Sequence, residues 1–287
     1  MRNRMNVLVT GSKGFLGREI VNYFQNHKTI KIISTDRTSL DPTNYDNVKD
    51  FFLKNKVDFV LHTAVKGGKR GRIDTIQDLF DNIAMFENLL SFRSEYKAIF
   101  NFCSGAAFDR KSEINDAKEE QIFNFLPEDY YGLSKNLIAR KISILNSNAY
   151  NFRLFGCFGK AEEEQRFIRN SVNNLSAGRN IEIHQDKEMD FIYAHDVCRV
   201  IEYFIENIDN DKLDKDYNLC YKKKYRLGNI AQIILDSAGL ESKNVVVLKK
   251  GMAEPYTGDS SRLDKLNINF IGLEEGIREC QRSWNRF

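Results

Sequence analysis

The sequence predicts an α/β fold: a doubly wound parallel sheet with a smaller C-terminal α/β substrate lobe. Two observations carry this expectation. Apolar, β-rich runs alternate with helical patterns through the first half of the chain, which calls for a parallel sheet covered by helices on both faces. The first of these runs, Val7-Leu8-Val9-Thr10, leads directly into Gly11, Gly14 and Gly17, with Leu16, Ile20 and Phe24 repeating at helical spacing behind them. Strand, glycine turn and helix form the front end of a dinucleotide-binding (Rossmann) unit. The glycines allow a tight turn and close approach of a pyrophosphate, whose charge sits at the helix N-terminus among free N–H groups. The spacing is GxxGxxG rather than GxGxxG, and an ordinary strand-to-helix turn is the alternative. Its place at the start of the chain, between a strand and an amphipathic helix, favours the cofactor reading.

The elements follow in order. Ile30 to Thr35 reads as the second strand and ends at Asp36-Arg37. A short link, Thr38-Ser39-Leu40-Asp41, leads to a helix over Asn47 to Lys54. Val57 to Leu61 is the next strand, running into His62-Thr63-Ala64-Val65 and then a glycine-rich basic loop, Lys66-Gly67-Gly68-Lys69-Arg70-Gly71-Arg72. That loop is either a solvated turn or, lying beyond a strand's C-terminal end where ligands sit in such sheets, a neighbour of substrate phosphates. A helix from about Asp74 to Phe92 precedes the strand Ala98 to Cys103, which ends at Ser104. Residues 109 to 125 are polar and without a clean period, so a loop or partly helical flap is expected. A helix from about Asp129 to Leu145 carries Tyr131 and Lys135, and Asn151 to Phe155 is another buried strand. Beyond Gly159, helices are expected over 166–177, 196–208, 227–238 and 273–284, with short strands at 181–184 and 245–248. The organisation expected is a dinucleotide-binding domain over 1–155, followed by a mainly substrate-binding lobe over 156–287 that returns some elements to the sheet.

Composition narrows the partners. The chain has 287 residues, 42% of them hydrophobic, and 43 basic against 40 acidic residues, a net charge of +3. That is enough chain for one full domain and a smaller lobe, and too balanced a charge to imply nucleic acid or a membrane surface. Cys103, Cys157, Cys198, Cys220 and Cys280 are odd in number and widely spaced, with no CxxC pair, which reads as free thiols in a reducing compartment. No apolar leader and no run of 18 apolar residues occurs, so a cytoplasmic protein is expected.

Tyr131 and Lys135 carry the chemistry. At i and i+4 they share a helix face, about 6 Å apart along the axis. A nearby ammonium favours the phenolate and lowers the tyrosine pKa toward the range useful for acid–base work. Ser104, just past a strand's C-terminal end, is placed to hydrogen-bond the same substrate oxygen. A tyrosine and a lysine on an ordinary surface helix are the plain alternative.

The glycine turn, Asn82, Ser104 and Tyr131-Gly132-Leu133-Ser134-Lys135, in that order, resemble the extended short-chain dehydrogenase/reductase family, whose members act largely on nucleotide-linked sugars. The resemblance continues through Arg153-Leu154-Phe155-Gly156, Asp190-Phe191-Ile192-Tyr193-Ala194-His195-Asp196 and Gly272-Leu273-Glu274-Glu275-Gly276-Ile277, and so covers nearly the whole chain. It implies that Tyr131 is the proton donor or acceptor, that Lys135 lowers its pKa and holds the nicotinamide ribose, and that Ser104 positions the substrate oxygen. Asn82 would support the lysine and its proton relay, unless it is only a capping or surface amide. Further cofactor contacts are expected at Phe15, Leu16, Asp41, Thr63, Ala64, Val65 and Phe155, and substrate contacts at Lys66, Gly67, Gly105, Phe108 and Arg166.

Asp36, about twenty residues past the glycines, favours NAD through the ribose 2′-OH. Lys13 and Arg37 stand where related reductases bind the 2′-phosphate of NADP, and two cations against one carboxylate favour NADP, with NAD the alternative. Absent residues narrow the reaction. Related dehydratases carry an Asp-Glu pair after the serine, where this chain has Gly105-Ala106. Enzymes resembling GDP-fucose synthase carry a cysteine two residues after the serine, where Ala106 stands, and a histidine where Lys160-Ala161-Glu162 stand. Hydride transfer at one sugar carbon remains, as a 4-keto reduction using NADPH or a 4-epimerisation on retained NAD. A non-catalytic cofactor-binding sensor is the rival from another class. The arginine that usually grips the pyrophosphate is Met189 here, and an asparagine common after the preceding strand is Gly156, so Arg166, Arg169, Lys187 or the basic loop would have to substitute. Relatives are commonly dimers through two helices, here those over 74–92 and 129–145. Ile76, Leu79, Phe80, Ile83, Phe86 and Leu90 suit either that interface or packing on the sheet.

Overall fold

A computed structural model describes residues 4–69, 71–210, 212–240 and 244–284. Six parallel strands form the central sheet: β1 (Met5–Thr10), β2 (Ile30–Ser34), β3 (Phe59–His62), β4 (Ala98–Ser104), β6 (Ala149–Leu154) and β10 (Asp216–Leu219). Their order is β10-β6-β4-β3-β1-β2, all parallel. The chain reverses its direction of travel across the sheet between β1 and β3, and the crevice outside their C-terminal ends is where such sheets bind ligands.

Alternation along the strands builds two cores. Val7 and Val9 of β1 face one side with Phe59, Phe100 and Phe152, and are covered by α1 (Phe15–Phe24) and α6 (Ala194–Glu206). On that face Phe59, Phe100 and Phe152 stack across three strands, at centroid separations of 6.1 and 5.6 Å. Leu8, Val60 and Ile99 face the other side, under α2 (Tyr45–Lys54), α3 (Ile76–Leu90) and α4 (Tyr130–Ile144). Phe86 and Leu90 of α3 pack there, whereas Ile76 and Phe80 stay exposed.

β10 is the strand that periodicity misses. Only two of its four residues, Asp216-Tyr217-Asn218-Leu219, are apolar in character. Its polar members are buried because they have partners: Arg153 donates to Asp216 at 2.6 Å and to Asn218 at 2.9 Å, and Asn151 donates to Asp216 at 2.7 Å.

The polar segment 109–125 contains β5 (Ile114–Ala117) and a 3₁₀ turn over 119–123. β5 pairs with β12 (Tyr256–Gly258), which draws a C-terminal segment toward the end of β4. The remaining elements are β7 (Cys157–Phe158), α5 (Phe167–Ser176), β8 (Ile181–Asp186), β9 (Ile192–Tyr193), α7 (Leu227–Ala238), β11 (Val245–Met252), α8 (Ser261–Asp264) and α9 (Leu273–Ser283). Around β8 and β9, the helices α5, α7 and α9 close a second apolar core with Ile168, Ile183, Ile234 and Ile277. All five cysteines are unpaired and buried. Among the described residues no helix is long and apolar enough to cross a membrane.

Candidate active site

The glycine turn is built by two contacts that no larger residue permits. Gly11 has φ +68°, and a Cβ there would lie 2.7 Å from the Ala64 Cα, so its absence lets the β3 end approach the turn. A Cβ on Gly17 would lie 2.4 Å from the Gly11 carbonyl, so this glycine seats α1 on the turn. Gly14 is the N-cap of α1. No side chain caps it, and no acidic residue stands in the first turn, so the N–H groups at that end are free to face an anion. Thr63 Oγ1 donates to the Thr10 carbonyl at 2.6 Å and fixes the neighbouring strand end, with Val65 half-exposed beyond it.

At the end of β2, Asp36 is fully engaged within the chain. Its Oδ2 pairs with Lys13, and its Oδ1 accepts from Thr38 N (3.0 Å), Thr38 Oγ1 (2.6 Å) and Ser39 N (3.1 Å). Lys13 first, and then these donors, hold its carboxyl well below the usual range. The expected surplus of positive charge is corrected here: Arg37 Nε pairs with Asp41 at 3.2 Å, making two cations against two carboxylates. Arg37 is 73% exposed, and such a pair contributes at most about 1 kcal/mol, so a phosphate dianion can compete for it.

The catalytic candidates meet at a cleft of about 730 Å³ that reaches from Phe15 and Leu16 on α1 to Pro255 and Tyr256. Gly132 brings Tyr131 to Ser104. A Cβ there would lie 2.4 Å from the Ala106 carbonyl, so only glycine lets the first turn of α4 sit against the turn after β4. Asp129 caps that helix by accepting from Gly132 N at 2.7 Å and also pairs with Arg110 at 2.8 Å. Ser104 and Tyr131 line the cleft together, and the Ser104 Oγ accepts from Ala106 N at 3.2 Å.

The expected lowering of the Tyr131 pKa is corrected. Burial is the largest influence and pushes the phenol up to about 12, with the Ser104 contact opposing it only in part. Lys135 is itself pushed down to about 8 by burial, and its Nζ donates to the Phe102 carbonyl at 2.7 Å, 5.9 Å from the centre of the Tyr131 ring. Asn82 is likewise not bonded to Lys135. Its side chain accepts from Lys66 N (2.8 Å) and donates to the Lys66 carbonyl (2.9 Å) and Ser134 Oγ (3.1 Å), so it ties the loop after β3 to α4.

Of the expected residues, Phe15, Leu16, Ser104, Tyr131, Phe155 and Arg166 line the cleft together, as do Gly156, Lys187 and Met189. Lys66 does not; its ammonium pairs with Asp81. Gly67 has φ +80° and lies against Asp74 rather than the cleft. Phe108 is buried, stacked on Phe155 at 6.1 Å and under the Arg153 guanidinium at 4.9 Å, so it is core and not wall. Gly105 is covered by the Tyr256 phenol. Arg169 lies over the Trp284 ring at 4.1 Å, away from the cleft, and Arg70 lies outside the described residues.

The basic loop named as a candidate neighbour of the substrate sends Gly68 into the cleft, and Arg110 and Tyr256 are among the cleft residues not anticipated. Gly68, with φ +67°, lies over Tyr131: a Cβ there would be 2.8 Å from ring atoms Cε2 and Cζ. Its two adjacent glycines in a basic loop were the available signal. Arg110 comes from the polar flap and Tyr256 from β12, and neither belongs to a local pattern. Gly156 explains its own departure, since a Cβ there would lie 2.7 Å from the Asp190 carbonyl and 2.8 Å from the Phe191 ring.

Known structures share this architecture throughout. A GDP-mannoheptose C4 reductase from Campylobacter jejuni, solved with NADP bound, superposes with a TM-score of 0.83 at 20% identity over 99% of each chain. A GDP-D-glycero-L-gluco-heptose synthase from the same organism, solved in the presence of NADPH, gives 0.84 at 20% identity over 99% of each chain. A dTDP-glucose 4,6-dehydratase from Bacillus anthracis in complex with NAD gives 0.79 at 16% identity, over 98% of this chain and 96% of that one. At such identities the likeness establishes the fold. Residues 7–220 match the model of the NAD dependent epimerase/dehydratase family, and the chain belongs to that family.

Proposed function

We propose that the protein reduces the 4-keto group of a nucleotide-linked sugar at the expense of NADPH. The observation that carries this reading is the pairing of Ser104 with a Tyr131 phenol held protonated, beside a Gly105-Ala106 turn that offers no carboxylate for elimination. A reduction needs a proton donor at the carbonyl oxygen. A phenol at about 12 is a donor at neutral pH, and Ser104 is placed to polarise the same oxygen.

The dinucleotide fits the residues present. The uncapped N-terminus of α1 with its glycines suits a pyrophosphate, and Lys13 and Arg37 at the end of β2 suit a 2′-phosphate. Bound there, NADPH supplies the hydride. Lys135, whose Nζ donates to the Phe102 carbonyl beside the Tyr131 ring, stands where a ribose hydroxyl would complete its hydrogen bonds. Arg110, Arg166 and Lys187 bring cations to the cleft wall for a sugar diphosphate, in place of the arginine that Met189 replaces. The C4 reductase solved with NADP and the heptose synthase solved in the presence of NADPH support the same cofactor and substrate class. We place the protein in the cytoplasm, which suits five unpaired thiols, and read it as a homodimer, for which exposed Ile76 and Phe80 on α3 and Leu137 and Ile144 on α4 supply apolar surface.

The test is a panel of 4-keto nucleotide sugars incubated with NADPH, followed by nicotinamide absorbance. Wild type should consume NADPH, and Tyr131→Phe should abolish turnover with NADPH affinity changed less than about twofold. Full activity in that variant would sink the scheme. Retained NAD with no net oxidation would point to the epimerase, and inertness toward the whole panel to a sensor.

A further inference from the structure

Tyr256 belongs to no motif, yet its phenol reaches the reacting end of the cleft. Backbone bonds fix its position: Tyr256 N donates to the Glu188 carbonyl at 2.9 Å, and Asp190 N donates to the Tyr256 carbonyl at 3.1 Å. Gly258 N donates to the buried Asp190 carboxylate at 2.8 Å, which also pairs with Lys224 at 2.8 Å. The ring meets Phe155 edge-on at 5.5 Å, and the Lys187 ammonium lies 5.6 Å from its centre. Its hydroxyl is aimed at residues 104–105. A Cβ on Gly105 would lie 2.6 Å from that oxygen, so the phenol occupies the space that the missing side chain leaves.

Ser104 lines the same end of the cleft as two phenols, Tyr131 and Tyr256. A serine hydroxyl has one proton to donate and two acceptor positions. Ala106 N takes one of these positions at 3.2 Å. We propose that Tyr256 is a positioning residue whose phenol donates to the second acceptor position of Ser104, leaving the single Ser104 proton directed toward Tyr131 and the substrate oxygen beside it. A phenolate at Tyr256 would do the reverse, accepting the Ser104 proton and turning it away. Burial guards against that state by pushing the Tyr256 phenol well above its ordinary value. The same geometry sets a side chain at 105 against Tyr256: any Cβ there displaces the phenol and the Phe155 ring beside it.

The catalytic consequence rests on the reduction proposed above, but the tie between the hydroxyls does not, and the two are tested separately. The first measurement needs no substrate: thermal unfolding of wild type, Tyr256→Phe, Ser104→Ala and the double variant. Each single change should lower Tm by about 2–4 °C, and the double by clearly less than their sum, because either change already breaks the shared bond. Additive losses would overturn the tie. The second is NADPH oxidation with a 4-keto nucleotide sugar. Tyr256→Phe should lower kcat about tenfold with KM within about twofold, and should cost nothing further in the Ser104→Ala background. Gly105→Ala, whose Cβ would lie 2.6 Å from the phenol oxygen and 2.7 Å from the Phe155 ring, should reproduce the kcat loss. Unchanged kcat, a rise confined to KM, or a full loss that persists without Ser104 would each overturn the positioning role. A wild type inert toward every keto sugar would defeat the proposed reduction and leave the Tm cycle to decide the tie.

Discussion

Replacing Gly68 with alanine separates strain in the basic loop from the seating of Tyr131. Gly68 has φ +67°, so any L side chain there stands in the left-handed region, at a cost of about 1–2 kcal/mol. The added Cβ would also lie 2.8 Å from Cε2 and Cζ of Tyr131, whereas unstrained carbon contacts begin at about 3.5 Å. Loop and ring must therefore part by several tenths of an ångström. Gly68 N is held by Asp74 Oδ1 at 2.8 Å, which resists movement of the loop, so part of the shift falls on the ring. On the proposed mechanism the phenol is the group whose distance from the reacting oxygen decides the rate, and misplacement approaching 1 Å costs up to about 100-fold. Gly71 provides the control: it has φ +77° with nothing within 4 Å of its Cβ position. Both alanine variants should lose about 1–2 kcal/mol in denaturant unfolding, a Tm drop of about 2–8 °C at this chain length. Only Gly68→Ala should lose kcat, by about 10- to 100-fold, with NADPH affinity unchanged. Wild-type kcat in Gly68→Ala, or equal kcat losses in both, would refute the seating of the ring by the loop.

Two further outcomes follow from the charges. Arg37→Ala should weaken NADPH binding about 5- to 20-fold in a fluorescence titration and leave NADH binding nearly unchanged, since only a 2′-phosphate draws Arg37 from Asp41; equal losses for both cofactors defeat the assignment. His62 is fully buried with its Nδ1 at 2.9 Å from Thr10 Oγ1, and burial first, then the Lys135 charge, holds its pKa down at about 3. The unfolded chain takes up that proton below about 6.5 and the folded chain does not, so stability is lost as pH falls from about 6.5 toward 3. Between pH 7 and 5 this amounts to about 2 kcal/mol, and His62→Gln, although less stable at neutral pH, should lose that much less over the same interval. Parallel losses in urea unfolding would show that the imidazole charges freely in the folded state.

The parts of the site that were legible are those built from neighbours in sequence. The turn from β1 to α1 is written in eleven consecutive residues, and Tyr131 and Lys135 share a helix face by spacing alone. The candidate cofactor end and the proposed proton donor follow from local pattern for this reason. What such patterns do not carry is charge balance and burial across elements. The pairing of Arg37 with Asp41 depends on how the link after β2 turns back on itself. The raised Tyr131 phenol depends on the flap and β12 closing over α4. β10 escaped notice because its buried Asp216 and Asn218 look like loop residues until Arg153 and Asn151 from the adjacent strand satisfy them.

Glycines show the same division more sharply. Gly105 and Gly156 read in the sequence as functional groups missing from an expected pattern. In the folded chain each is the space another element needs: the Tyr256 hydroxyl at 105, and the Asp190 carbonyl with the Phe191 ring at 156. Both intruding elements come from the C-terminal half and are joined to each other, because Asp190 N bonds the Tyr256 carbonyl and the Asp190 carboxylate bonds Gly258 N. One buried carboxylate thus sets the wall that replaces the expected asparagine and the hydroxyl that fills the expected acid's place. Loss of a side chain at 105 therefore does not weaken the reacting end of the cleft. On the proposed reading it exchanges a carboxylate that could take a proton from carbon for a phenol that burial keeps protonated, which suits a reaction that protonates an oxygen.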